Sequence, residues 1–250
     1  MSIFVQIRYF FGIVIVFALL AACAGPDVAS GIYDPLETRN REIHEGNRKL
    51  DKHLVGPAAD IYGTGIPEPV RVGVNHFASN LGEPGTVVND ILQFKLGSAL
   101  HNTARFILNS TVGVGGIFDP ATNMGLESRP SDFGETLHVW GLKEGAYREL
   151  PLLGPSTTRD TVGMAVDFFL DPVGLIIQTP ERYVTTLASG ASRIGDRYRF
   201  DDTVDSILYD SADSYAQARL LYLENRRFQL GQGHNEIDDE LYDIYEEFDE

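Results

Sequence analysis

The reactive side chains of this sequence rarely stand at spacings that make or break bonds. His44-Glu45 begins like a zinc-binding helix motif, but position 48 is Arg, so the second imidazole of that motif is missing. The six His residues are scattered, and each reads as a surface or satisfied polar group. Neither a Gly-x-Ser-x-Gly elbow nor a Walker loop occurs. Gly113-Val114-Gly115 lacks the third glycine of a dinucleotide fingerprint and follows a helical rather than a strand pattern. Asp132 and Glu135, three apart, fit either acid–base work or the capping of a helix start. The single cysteine, Cys23, excludes an intrachain disulfide, a Cys-x-x-Cys pair and a multi-cysteine zinc site. The expectation is a non-enzymatic protein with no cofactor and no metal.

Cys23 has another use. Residues 1–22 carry one charge, Arg8, and 18 uncharged, mostly apolar residues separate Arg8 from Asp27. A basic start, a short apolar core and small residues at the end read as a secretory signal. The run ends Leu20-Ala21-Ala22-Cys23, which resembles a bacterial lipobox, whose cysteine is acylated and becomes the new N-terminus. Several acyl chains anchor stably where one does not. Ala24, rather than Asp, follows the cysteine, which points to the outer membrane and its periplasmic face.

The 250 residues hold 20 Lys plus Arg against 36 Asp plus Glu, a net charge of −16. That excludes the basic face that nucleic acid requires. Beyond residue 22 the longest apolar run is Phe106–Phe118, too short to span a bilayer. Nine acidic residues and no Lys or Arg fall in 231–250, which reads as a solvated, disordered tail.

The elements that must position any site are mostly helical. Residues 23–33 read as a tether. Leu36, Ile43, Leu50 and Leu54 share one helical stripe with Asn40 and Asn47. Pro67 and Pro69 open a second helix, and Gly82-Glu83-Pro84 starts a third. Leu96–Leu108 is a fourth, ended by Gly113-Val114-Gly115-Gly116. Val162–Leu170 and Val173–Ile177 are short helices split by Asp171-Pro172, and Ser214–Leu230 is a long one. Strand signals are confined to Leu137–Trp140 and Tyr147–Leu152.

Five blocks in this frame resemble the MlaA/VacJ family of outer-membrane lipoproteins. They are Asp34-Pro35-Leu36-Glu37 with Asn40-Arg41, Asn47 and Leu50-Asp51; Asn80-Leu81-Gly82-Glu83-Pro84 leading to Asn109–Asp119; Asp132–Leu137 with Val139-Trp140-Gly141; Leu150–Ser156 with Arg159-Asp160; and Asp213, Tyr215-Ala216, Arg219, Tyr222-Leu223 and Arg226-Arg227. The likeness runs in order over roughly residues 34–229. It implies a mainly α, ring-like single domain partly embedded in one membrane leaflet, with little or no β. It implies an amphipathic channel that takes misplaced phospholipid from the outer leaflet and passes it to a periplasmic lipid-carrier protein, beside a trimeric outer-membrane porin.

Within that reading Cys23 is the lipidation site. Asn40, Asn47, Gly113, Gly115 and Gly116 are candidates for channel or hinge positions, with buried amides and turn glycines as the alternative. Arg219 and Arg226, on one face with Tyr215 and Tyr222, are candidates for head-group or partner contact, or for packing along a helix. Arg39, His44 and Gly46 stand where the family carries aromatics, which bears on how deeply the first helix sits in lipid. The alternative function is a structural lipoprotein bracing a porin or envelope complex without moving lipid.

Overall fold

The computed structural model describes residues 31–173 and 181–232. Cys23, the signal segment, most of the tether, all but the first residue of the helix expected at Val173–Ile177 and the tail from 233 onward lie outside the described residues.

The fold is mainly α. In chain order the helices are α1 (Glu37–Leu50), α2 (Gly56–Gly65), α3 (Glu68–Leu92), α4 (Leu96–Thr111), α5 (Pro120–Asn123), α6 (Phe133–Val139), α7 (Thr158–Leu170), α8 (Glu181–Arg199), α9 (Asp201–Leu208) and α10 (Ser214–Gln229). A π-helical turn, Asp51–Val55, joins α1 to α2. One antiparallel hairpin, β1 (Tyr147–Leu150) with β2 (Gly154–Thr157), pairs Tyr147 with Thr157 and Leu150 with Gly154. No helix among the described residues is long and apolar enough to cross a membrane.

Local chemistry sets the helix starts. Asp119, Asp132, Thr157 and Asp213 each stand just before a helix and accept the backbone N–H three residues on. Proline occupies the first turn of α2, α3 and α5, where its missing N–H costs nothing. Of the two readings of Asp132 and Glu135, the structure shows the cap: Asp132 accepts Glu135 N–H at 2.8 Å. The helix it starts runs through Leu137–Val139, which corrects the strand expected there. The expected second and third helices are one 25-residue helix, α3, with Pro84 inside it. Helix α8 was not read from the sequence at all.

Packing is inverted relative to a soluble domain. Among the described residues sixteen polar or charged side chains are buried against ten apolar ones, while 29 large apolar side chains are exposed. In water the usual distribution is the reverse. Helix α4 makes the point alone. Its inward face carries Ala99, Asn102, Arg105 and Asn109, and its outward face carries Leu96, Leu100 and Ile107. The purely apolar clusters are small: Phe133, Leu137 and Val162 between α6 and α7, and Tyr147, Tyr215 and Leu223 under the hairpin.

Candidate functional site

The polar interior resolves into three connected networks, and each joins sequence blocks that lie far apart in the chain.

The first sits between α3, α4 and the turn after α4. Arg105 is 4 % exposed and donates to Glu83 at 3.2 Å, Asp119 at 3.2 Å, Thr122 at 3.0 Å and the carbonyl of Leu126. Burial pushes the Glu83 carboxyl up, against the opposing pull of Arg105. Burial acts the same way on Asp119, but Thr122, Asn109 and the Arg105 charge outweigh it and hold Asp119 at about 2. Gly113, Gly115 and Gly116 form the turn that ends α4. Gly115 and Gly116 have φ of +73° and +94°, and the Gly116 N–H caps the Asn109 carbonyl at 2.8 Å. A Cβ on Gly116 would lie 2.6 Å from Asn80, and one on Gly113 would lie 2.4 Å from two backbone oxygens. Close approach, as well as φ, therefore demands glycine there. The turn presents Val112, Val114, Ile117 and Phe118 outward, all exposed.

The second network braces the hairpin against α1 and α10. Asn40 is 2 % exposed; it donates to Asp34 at 2.8 Å and to the Tyr147 carbonyl at 3.3 Å, and accepts Glu149 N–H at 3.1 Å. Asn47 donates to the Leu150 carbonyl at 2.9 Å and accepts Leu152 N–H at 2.8 Å. Both amides thus act as substitute strand edges for β1. Arg219 donates to Asp34 at 2.6 Å, and Tyr215 donates to the same carboxylate. His44 lies between Glu149 and the Ser214 hydroxyl, at 3.3 and 3.0 Å.

The third network walls a cavity of about 510 Å³ between α6, α7 and α10. Arg226 grips Asp132 through two bonds of 2.9 and 2.7 Å and reaches Asp160 at 3.1 Å. Tyr222 donates to the other Asp160 oxygen at 2.8 Å. Burial works against the Asp160 charge, but the two guanidiniums of Arg159 and Arg226 prevail and lower its pKa. Asp167, accepting from Asn89 and from Phe133 N–H, both at 2.9 Å, is pushed up by burial. Met164 and Leu221 supply an apolar wall. Gly134 fits only because it lacks a side chain: a Cβ would lie 2.6 Å from Asp160 and 2.8 Å from Arg226.

The candidate residues are therefore not gathered at one point. Asn40, Asn47 and Arg219 belong to the hairpin brace, the three glycines to the α4 turn, and Arg226 to the cavity. Sequence reasoning did not single out Arg105, Asp160 or Asp167 as site residues. A buried arginine between two carboxylates has no periodic signal, because its partners come from other elements. No group of three or more His, Cys, Asp or Glu suited to a metal ion occurs among the described residues.

An apolar exterior, a charged interior and a cavity with one apolar wall form an arrangement suited to an amphiphile. The comparisons agree. The model of the MlaA lipoprotein family matches residues 32–229. The intermembrane phospholipid transport system lipoprotein MlaA of Escherichia coli is 35 % identical over 216 residues, 84 % of each chain. An uncharacterized protein of Rickettsia bellii is 34 % identical over 189 residues, 75 % of this chain and 73 % of that one. A solved structure described as the structural basis for maintenance of bacterial outer membrane lipid asymmetry superposes with a TM-score of 0.65 at 30 % identity, covering 79 % of this chain and 98 % of its own. With the family model spanning all three networks, the chain belongs to the MlaA lipoprotein family.

Proposed function

We propose that this protein is an outer-membrane lipoprotein, anchored at the periplasmic face through acylated Cys23, that removes misplaced phospholipid from the outer leaflet. The lipid passes through an amphipathic path in the domain to a periplasmic carrier, beside a trimeric porin, and lipid asymmetry is maintained. The inverted packing carries this reading. An exposed apolar exterior such as Phe94, Leu100, Phe118 and Phe168 suits hydrocarbon, and a hydrogen-bonded polar interior suits a head group.

The physical need is plain. A phospholipid leaving a bilayer unaided exposes about 30 methylenes at ~0.8 kcal/mol each, roughly 24 kcal/mol. A barrier of that size gives a rate of about 10⁻⁵ per second. Head-group passage through hydrocarbon is also costly. A path that is polar for the head and apolar for the tails lowers both costs without breaking a bond. In this reading Asp132, Asp160 and Arg226 form the polar wall of the path. Asn40, Asn47 and Arg219 hold the hairpin that borders it, and the Gly113–Gly116 turn sets apolar side chains into the leaflet.

The test is palmitate labelling of lipid A, which rises when phospholipid accumulates in the outer leaflet. A strain lacking the gene is expected to show the rise, wild-type protein to reverse it, and Cys23→Ala to fail. An unchanged level in the deletion strain would refute lipid removal and leave a structural brace.

A further inference from the structure

A second cavity, of about 370 Å³, lies between the start of α3, the end of α8 and the start of α9, formed by elements other than those walling the first. Several of its charged side chains have no ion pair among the described residues. Asp196 accepts from Asn75 at 3.2 Å, and Asp201 is held by Arg197 at 2.5 Å. Among the described residues, Arg71 and Arg199 form no ion pair, and Glu68 and Asp202 form neither a side-chain hydrogen bond nor an ion pair. Two cations without an ion pair, Arg71 and Arg199, thus line one cavity with three carboxylates that no cation neutralises, Glu68, Asp196 and Asp202.

Arg71 is pre-positioned there. Its Nε donates to the Ile66 carbonyl at 3.0 Å, and its guanidinium stacks on the Tyr198 ring at 4.9 Å. That ring is itself fixed, since a Cβ on Gly63 would lie 2.2 Å from it. The guanidinium's remaining donors have no described partner.

We propose that this cavity binds the head group of a zwitterionic phospholipid, one carrying a phosphodiester and a primary ammonium. Arg71 and Arg199 take the phosphate, and Glu68 and Asp202 take the ammonium. A lone anion meets three uncompensated carboxylates, Asp196 among them, and a lone cation meets two uncompensated guanidiniums. A ligand bearing both charges engages Arg71, Arg199, Glu68 and Asp202 together, while Asp196 stays on Asn75. The proposal rests on reading the chain as a lipid-handling membrane protein, and it adds a head-group site outside the cavity bounded by Asp132 and Arg226.

The test uses the purified full-length protein in detergent micelles, titrated with dihexanoyl phosphatidylethanolamine, dihexanoyl phosphatidylglycerol and free phosphoethanolamine. Wild type is expected to prefer phosphatidylethanolamine. Arg199→Gln, at an exposed position without an ion pair, is expected to weaken binding of both lipids about tenfold, the worth of one charge-assisted hydrogen bond. Glu68→Gln/Asp202→Asn is expected to weaken phosphatidylethanolamine and strengthen phosphatidylglycerol, reversing the preference. Loss of fold cannot produce that reversal. Equal binding of the two lipids by wild type, or a preference that neither variant alters, overturns the proposal. Free phosphoethanolamine binding as tightly as the short-chain lipid would overturn the lipid as the source of the head group. Lipid A labelling in cells reports separately on transport, so a reversed preference in vitro together with unchanged labelling in the deletion strain would retain this site and refute transport.

Discussion

Replacing Arg105 by methionine keeps most of the side-chain stem and deletes a buried guanidinium. In the native structure that group serves Glu83, Asp119, Thr122 and the Leu126 carbonyl, and Glu83 is itself only 6 % exposed. Removing one partner of a buried pair leaves an uncompensated charge and costs about 3–5 kcal/mol. For a domain near 200 residues each kcal/mol lowers Tm by about 2–4 °C, so the variant should melt roughly 6–20 °C lower. The pH dependence follows with its sign. The folded-state pKa of Glu83 is already raised by burial, and loss of Arg105 raises it further. A carboxyl so raised is fully favourable to folding below its ordinary range, and that stability is lost as pH rises through the folded value. The deficit of Arg105→Met should therefore shrink between pH 7 and pH 5. Glu83→Gln/Arg105→Met, which deletes both charges, should be more stable than the single variant at pH 7. Urea unfolding in detergent micelles, followed by Trp140 fluorescence, measures all three. A single variant within about 0.5 kcal/mol of wild type at pH 7, or a double variant less stable than the single, would refute the reasoning.

Three further outcomes are expected. Gly116→Val forces a branched side chain into a φ of +94° and against Asn80, and should lower Tm measurably, whereas Gly115→Ala, with open space around it, should cost less. Leu152, with φ of +67° and 77 % exposed, bears backbone strain while presenting an apolar tip. Leu152→Gly should keep or raise stability by up to about 1 kcal/mol while weakening binding to phospholipid vesicles, and reduced stability with unchanged vesicle binding would count against this. Asp119, held at about 2, contributes stability present above its ordinary pKa of 3.8 and lost as pH falls toward 2. Asp119→Asn should remove roughly 2 kcal/mol at pH 7 and flatten that acid limb in urea titrations; an unchanged limb would assign it to other carboxylates.

Helical character was legible in part because prolines mark helix starts locally: Pro69, read as opening a helix, stands in the first turn of α3. The proline signal at Pro57 for α2 and the cap signal at Asp213 for α10 went unread. The errors have equally local causes. A four-residue apolar run at Leu137–Trp140 carries no decisive period, and the Asp132 cap decided for helix. Pro84 reads as a helix start, but α3 continues through it, with Asn80 upstream and Asn89 downstream both tied by side-chain bonds. The Asn40 and Asn47 stripe was visible, whereas their partner, the edge of β1 more than a hundred residues away, was not. Arg219 and Arg226 were placed on one face, yet the sequence could not reveal that Asp34 and Asp132 already engage them.

The inverted packing has a consequence for how such a sequence can change over generations. An outward position such as Leu100 or Ile107 faces an environment that tests only oiliness and rough size, so exchanges among Leu, Ile, Val, Met and Phe should pass freely. An inward position such as Asn102, Arg105 or Asn109 answers to donors and acceptors fixed on other helices, and a single change leaves a buried group unanswered. A saturation mutagenesis map should therefore show tolerance along the apolar stripe of α4 and intolerance along its polar stripe. That is the reverse of what the same map gives for a water-soluble helix, and it makes the hydrophilic residues the slow clock of this protein.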